Sequence, residues 1–119
     1  MRTILIADDS RFMRSFLKDK LQQQRTLTIV EAIDGQEAID LYKLIKPDMV
    51  FLDITMSNVD GLTALREITE FDSNAKVIMC SAMSTEYNVV EALRLGALDF
   101  IVKPNFDGLI NIMEKLDDS

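Results

Sequence analysis

Two carboxylates, Asp8 and Asp9, close the apolar run Ile4-Leu5-Ile6-Ala7. A third, Asp53, closes the run Met49-Val50-Phe51-Leu52, and Lys103 follows Phe100-Ile101-Val102. If these runs are neighbouring parallel strands, all four charges meet at one edge of a sheet. Clustered carboxylates repel, so one of them resists ionisation unless a cation stands beside it. Mg²⁺ is a suitable cation, because it takes hard oxygen ligands and binds one or two carboxylates together with waters and phosphate. An ionised aspartate is also a nucleophile that forms an acyl phosphate. Phosphoryl transfer needs alignment and charge neutralisation more than covalent help. Lys103 offers a compact charge on a flexible stem for that purpose. The four residues read together as a cation-dependent phosphoryl site.

Each residue also has a plainer reading. Asp9 or Ser10 alone is best explained as a helix cap, since a carboxylate or hydroxyl favours the positive end of a helix. Asp53 resists that explanation, because a carboxylate directly after four large apolar residues is costly to bury unless paired or bound to a cation. Lys103 alone is an ordinary solvated lysine before a turn. Pro104 strengthens its case, since an X-Pro bond at a strand end can fix a tight turn in either isomer. Ser81 ends an apolar run, where its hydroxyl can meet a phosphoryl oxygen or cap a helix. Phe100 reads as core, and Cys80 as a small buried apolar residue.

The elements that must position these groups alternate strictly. Thr3–Ala7, Thr28–Glu31, Met49–Leu52, Val77–Ser81 and Phe100–Val102 read as strands. Ser10 caps a helix over Arg11–Gln24, with Met13, Phe16, Leu17 and Leu21 at helical spacing. Asp34-Gly35 reads as a turn before a helix over Gln36–Ile45, which Pro47 prevents from continuing. A third helix begins after Gly61. A fourth spans about Thr85 to Leu95 and stops at Gly96, and a fifth spans about Asp107 to Leu116. Strand and helix in alternation imply a parallel sheet with helices on both faces. Such sheets bind ligands outside the carboxyl ends of their strands, where Asp8, Asp9, Asp53, Ser81 and Lys103 all fall.

Composition narrows the classes. The chain has 119 residues, the length of one domain. Its net charge of −7 and the absence of a basic stripe argue against direct nucleic-acid binding. No apolar run reaches the roughly 20 residues of a membrane span, and the N-terminus has no signal-peptide pattern. One cysteine cannot form an internal disulfide, which fits a reducing cytoplasm. With no histidine in the chain, imidazole chemistry must come from a partner.

At this point the chain resembles the receiver domain of two-component response regulators, in particular the stand-alone CheY-like chemotaxis type. Asp8-Asp9-Ser10, Asp53-Ile54-Thr55-Met56, Asp60-Gly61, Cys80-Ser81-Ala82 and Lys103-Pro104 stand in the family's order, and the likeness spans essentially the whole chain. The resemblance implies an α/β, flavodoxin-like (βα)5 three-layer sandwich with a parallel five-stranded sheet in the order 2-1-3-4-5. It implies that Asp53 is the phosphoacceptor. Mg²⁺ would be held by Asp8, Asp9, Asp53 and the backbone carbonyl of Thr55. Lys103 would contact the phosphate, Ser81 and Phe100 would form the switch pair, and Lys103-Pro104 would be cis. Some positions depart from the commonest pattern. Ser57 replaces a frequent proline, which implies a more mobile loop, and Asn105 replaces a frequent phenylalanine. Phe100 lacks the hydroxyl of the usual tyrosine. Thr55 and Met83 stand where family members tune dephosphorylation.

The expected function is a phosphorylation-dependent switch: one receiver domain over residues 1–119, with no output domain, monomeric and cytoplasmic. It would catalyse only its own phosphorylation and dephosphorylation. The implied partners are a CheA-like histidine kinase, a target such as a flagellar motor switch component, and a phosphatase. A phosphorelay intermediate and a receiver fragment of a longer regulator are alternatives. A Mg²⁺-dependent aspartyl-phosphate hydrolase fits less well, because such enzymes place two aspartates two apart after the first strand, and here they are adjacent. A phosphorylation-independent interaction module would leave the acidic and lysine set unexplained. A flavin-binding role lacks its Gly/Ser/Thr-rich phosphate loop.

Overall fold

The computed structural model describes residues 2–82 and 85–117. Five strands, β1 (Arg2–Ala7), β2 (Leu27–Ala32), β3 (Met49–Asp53), β4 (Val77–Ser81) and β5 (Asp99–Val102), alternate with five helices. The helices are α1 (Arg11–Gln24), α2 (Gly35–Ile45), α3 (Gly61–Phe71), α4 (Glu86–Arg94) and α5 (Leu109–Glu114), the last continuing into a short 3-10 turn at Lys115–Asp117. All strand pairs are parallel and their order is β2-β1-β3-β4-β5. This is the flavodoxin-like (βα)5 order that the family resemblance implies.

The alternation of strand side chains divides the core in two. Leu5, Val50, Leu52, Val77 and Met79 face α2, α3 and α4, where they meet Ala38, Ile39, Leu65, Ile68 and Ala92. Ile4, Ile6, Phe51, Ile78 and Ile101 face α1 and α5, where they meet Leu17, Leu21, Ile112 and Met113. Every residue of β3 and β4 is buried, as central parallel strands require. Each such Ile, Leu or Phe side chain contributes about 1.5–3 kcal/mol by leaving water.

Side-chain caps start the first four helices. Ser10, Asp34, Asp60 and Thr85 accept from the backbone N–H three residues on. Asp34 therefore caps α2 and Gly35 is its first residue, so the expected turn is a helix start. Helix α5 is shorter than its periodicity suggests: Asp107 lies outside it and Gly108 offers no side-chain cap. Gly61 stands where a side chain cannot fit, since a Cβ there would lie 1.9 Å from the Asp53 carbonyl oxygen. Glycine is needed at that position to bring α3 flush against the end of β3.

Candidate functional site

The register of the sheet brings the acidic residues together. Ala7, the residue before Asp8, pairs with Leu52, the residue before Asp53. Both strands thus end at the same level, and the chain turns into Asp8-Asp9 on one side and the β3–α3 loop on the other. Asp53 pairs with Cys80, and Ser81 pairs with Val102, the residue before Lys103. Parallel pairing alone delivers Asp8, Asp53, Ser81 and Lys103 to adjacent strand ends.

Asp8 and Asp53 are only 5% and 7% exposed, whereas Asp9 is exposed. The Lys103 ammonium bridges the buried pair, 2.8 Å from Asp8 Oδ2 and 3.3 Å from Asp53 Oδ1. Asp8 Oδ1 accepts the Ser10 N–H at 2.8 Å. Arg14 donates to the Asp8 backbone carbonyl at 2.8 Å and pairs with Glu31 at 3.0 Å. Sequence reasoning passed over Arg14, although its place one turn after the Ser10 cap puts it back at the strand end.

These contacts explain the titration of the site. Burial raises the Asp53 carboxyl above its ordinary value, the neighbouring Asp8 charge raises it further, and Lys103 opposes both. Burial alone would lower the Lys103 ammonium. Its hydrogen bond to Asp8 and the charges of Asp53 and Asp8 outweigh that and hold it above its ordinary value. The ammonium is therefore charged throughout the neutral range. Cys80 lies beside the site, and burial pushes its thiol far up. It is a packing residue, since only a thiolate is nucleophilic.

Carboxylate oxygens of Asp8, Asp9 and Asp53 lie within 4.8 Å of one another. Opposite ligands of one Mg²⁺ ion are about 4.2 Å apart, given bonds of 2.0–2.1 Å. That bound is on the scale of one ion's coordination shell. The donor set is all hard oxygen, with an ammonium already neutralising part of the charge. The residues present fit Mg²⁺.

The remaining expected residues fall around this centre. Ser81 is buried, and its carbonyl accepts the Lys103 N–H at 2.8 Å. Phe100 is half-buried, packs against the core on the α2–α4 side and pairs with Met79. Thr55 is exposed on the loop after Asp53. The Lys103-Pro104 bond is cis, as the resemblance implies. Met83 lies outside the described residues. Sequence reasoning also missed a contact between Asn58 on the β3–α3 loop and Asp34, at 2.6 Å. No spacing rule links positions so far apart.

Comparison with known proteins agrees with this fold. The response regulator receiver domain family matches residues 4–114. Protein CcdB of Bacillus subtilis is 49% identical over 104 residues, 87% of each chain. The chemotaxis protein CheY of Thermotoga maritima is 48% identical over 103 residues, covering 87% of this chain and 86% of that one. Among solved structures, a CheX–CheY–BeF3–Mg²⁺ complex from Borrelia burgdorferi matches with a TM-score of 0.88 and 38% identity. That match covers 99% of this chain and 90% of that one.

Proposed function

This chain belongs to the response regulator receiver family, and from that premise we propose that it is a phosphorylation switch whose phosphoacceptor is Asp53. The observation that carries the reading is the Lys103 ammonium bound to Asp8 and Asp53 together at one sheet edge. The family is one of signalling domains, and its CheY relatives give the chain a chemotaxis context.

In this reading an Asp53 carboxylate oxygen attacks phosphorus in line with the nitrogen of a phosphohistidine. The P–N bond breaks, the imidazole leaves and takes up a proton, and an acyl phosphate forms on Asp53. The donor is a histidine kinase acting in trans, since this chain has no histidine of its own. Asp8, Asp9, Asp53 and the Thr55 carbonyl would hold Mg²⁺, which supplies charge neutralisation at the phosphoryl oxygens. Lys103 stays protonated and takes the remaining oxygen charge. Ser81, buried at the end of β4, offers a hydroxyl at the same level, and Phe100 on the next strand moves with it.

A new dianionic group at this edge changes the local charge and the hydrogen-bond acceptors. The consequence is a shift between two states that a partner distinguishes. Tyr87 and Val90 on α4, Val102 on β5 and Ile110 on α5 are all exposed. They supply an apolar surface on the elements next to Ser81 and Phe100. In this reading the chain acts as a receiver domain in the cytoplasm. Its target is a protein of the chemotaxis apparatus such as a flagellar motor switch component, and a phosphatase would reset it. Among the described residues no helix is long and apolar enough to cross a membrane.

The direct test is labelling by a small acyl-phosphate donor in the presence of Mg²⁺, read by mass spectrometry. Wild type should gain one phosphoryl group and Asp53→Asn none. Normal labelling of Asp53→Asn would sink the assignment.

A further inference from the structure

The loop between β3 and α3, residues 54–60, carries Thr55 and must present its backbone to the site. Its neck is closed by the Gly61 N–H, which donates to the Ile54 carbonyl at 2.7 Å. Its tip turns tightly, with the Val59 N–H donating to the Ser57 carbonyl at 2.8 Å. Asn58 at that tip has φ 65°, in the left-handed region that asparagine tolerates better than most residues. In this conformation the Asn58 amide donates to Asp34 Oδ2 at 2.6 Å.

Asp34 is itself held firmly. Its other oxygen caps α2 by accepting the Glu37 N–H at 2.8 Å. The Glu37 carboxylate in turn accepts the Ile33 N–H at 3.1 Å. The first turn of α2 also abuts the loop directly, since a Cβ on Gly35 would lie 1.9 Å from the Val59 carbonyl oxygen. The loop is thus fastened at its neck by its own backbone and at its tip by a side chain anchored to a different helix.

We propose that Asn58 and Asp34 are positioning residues that pre-order the β3–α3 loop for metal binding, an inference that rests on the reading that this loop supplies a Mg²⁺ ligand. A ligand on a disordered loop binds more weakly, because ordering the loop opposes binding. A link that holds the loop before the ion arrives removes part of that cost. Neither residue touches the ion, and both act through the Thr55 backbone.

The experiment is calorimetric titration of the unphosphorylated full chain with MgCl2, at fixed ionic strength, alongside melting without the metal. Asn58→Gly keeps the left-handed backbone and deletes the amide. It should weaken Mg²⁺ binding roughly two- to tenfold, the range expected for one net hydrogen bond, while its metal-free melting temperature stays close to wild type. The swapped pair Asp34→Asn with Asn58→Asp conserves net charge, keeps a side-chain oxygen for the α2 cap and reverses the donor. It should return the affinity to within about twofold of wild type. If Asn58→Gly also melts lower, the swap decides: restored affinity supports the link, and restored melting without restored affinity overturns it. Unchanged affinity in Asn58→Gly, with a wild type that binds Mg²⁺, overturns the link alone. A wild type that takes no Mg²⁺ overturns the metal reading and the link with it.

Discussion

Lys103 donates a 2.8 Å hydrogen bond to Asp8, a residue 95 positions earlier in the chain. The same ammonium reaches Asp53 at 3.3 Å. One cation therefore holds two buried carboxylates that would otherwise repel. With three carboxylates around one ammonium, the cluster keeps a surplus of negative charge that a divalent ion can satisfy. Four consequences of this arrangement can be measured.

Mg²⁺ should stabilise the protein, because it binds the folded cluster and not the dispersed aspartates of the unfolded chain. At a hundred times the dissociation constant the gain is about 2.7 kcal/mol. Thermal melting with and without Mg²⁺ measures it. In Asp8→Asn the shift should largely vanish, since one of the two buried carboxylates is gone.

Metal-free stability should depend on pH in a defined direction. The Asp53 carboxyl lies above its ordinary value of 3.8 in the folded protein. Between that value and its raised folded value, the folded state binds more protons than the unfolded state. Stability therefore falls as pH rises through this window, and the penalty persists at neutral pH. Melting in chelator across the acidic range should show this decline. Asp53→Asn should flatten it and melt a few degrees higher than wild type near neutrality. Lys103 acts oppositely: its raised folded value contributes stability at neutral pH that is lost as pH rises through that value.

Removing the ammonium should expose the repulsion it masks. Lys103→Ala leaves Asp8 and Asp53 buried without their shared donor, at a cost of about 1–3 kcal/mol. Urea unfolding in chelator measures the loss. Added Mg²⁺ should recover more stability in this variant than in wild type, because the ion then replaces a missing charge.

Glycine should be irreplaceable at Gly61 and dispensable at Gly108. An added Cβ would lie 1.9 Å from the Asp53 carbonyl oxygen at Gly61 and would meet nothing within 4 Å at Gly108. Gly61→Ala should destabilise by roughly 1–3 kcal/mol or more through forced backbone movement and weaken Mg²⁺ binding. Gly108→Ala should leave both near wild type. Urea midpoints and Mg²⁺ titrations separate the two outcomes.

Much of this was legible in the sequence because the signals are local. The apolar runs ending in Asp8, Asp53, Ser81 and Lys103 follow the rule that parallel strands are buried along their length and polar at their carboxyl ends. The span Arg11–Gln24 was legible from the Ser10 cap and the spacing of its buried Leu17 and Leu21. Where local signals were weak, boundaries moved: Asp34-Gly35 reads as a turn until the cap to Glu37 is seen, and α5 lacks a cap to mark its start.

What the sequence by itself determined is the set of reactive groups and their level along the strands. Residue type and strand period are properties of neighbouring residues. Only the tertiary structure decided which of those groups touch. The strand order puts β1 beside β3 and β5 beside β4, so Lys103 reaches across to Asp8 as well as Asp53. Burial then sets Asp53 apart from the exposed Asp9. The fastening of Asn58 to Asp34 belongs to the same class. It depends on how closely α2 packs against the β3–α3 loop, a distance that no local pattern encodes.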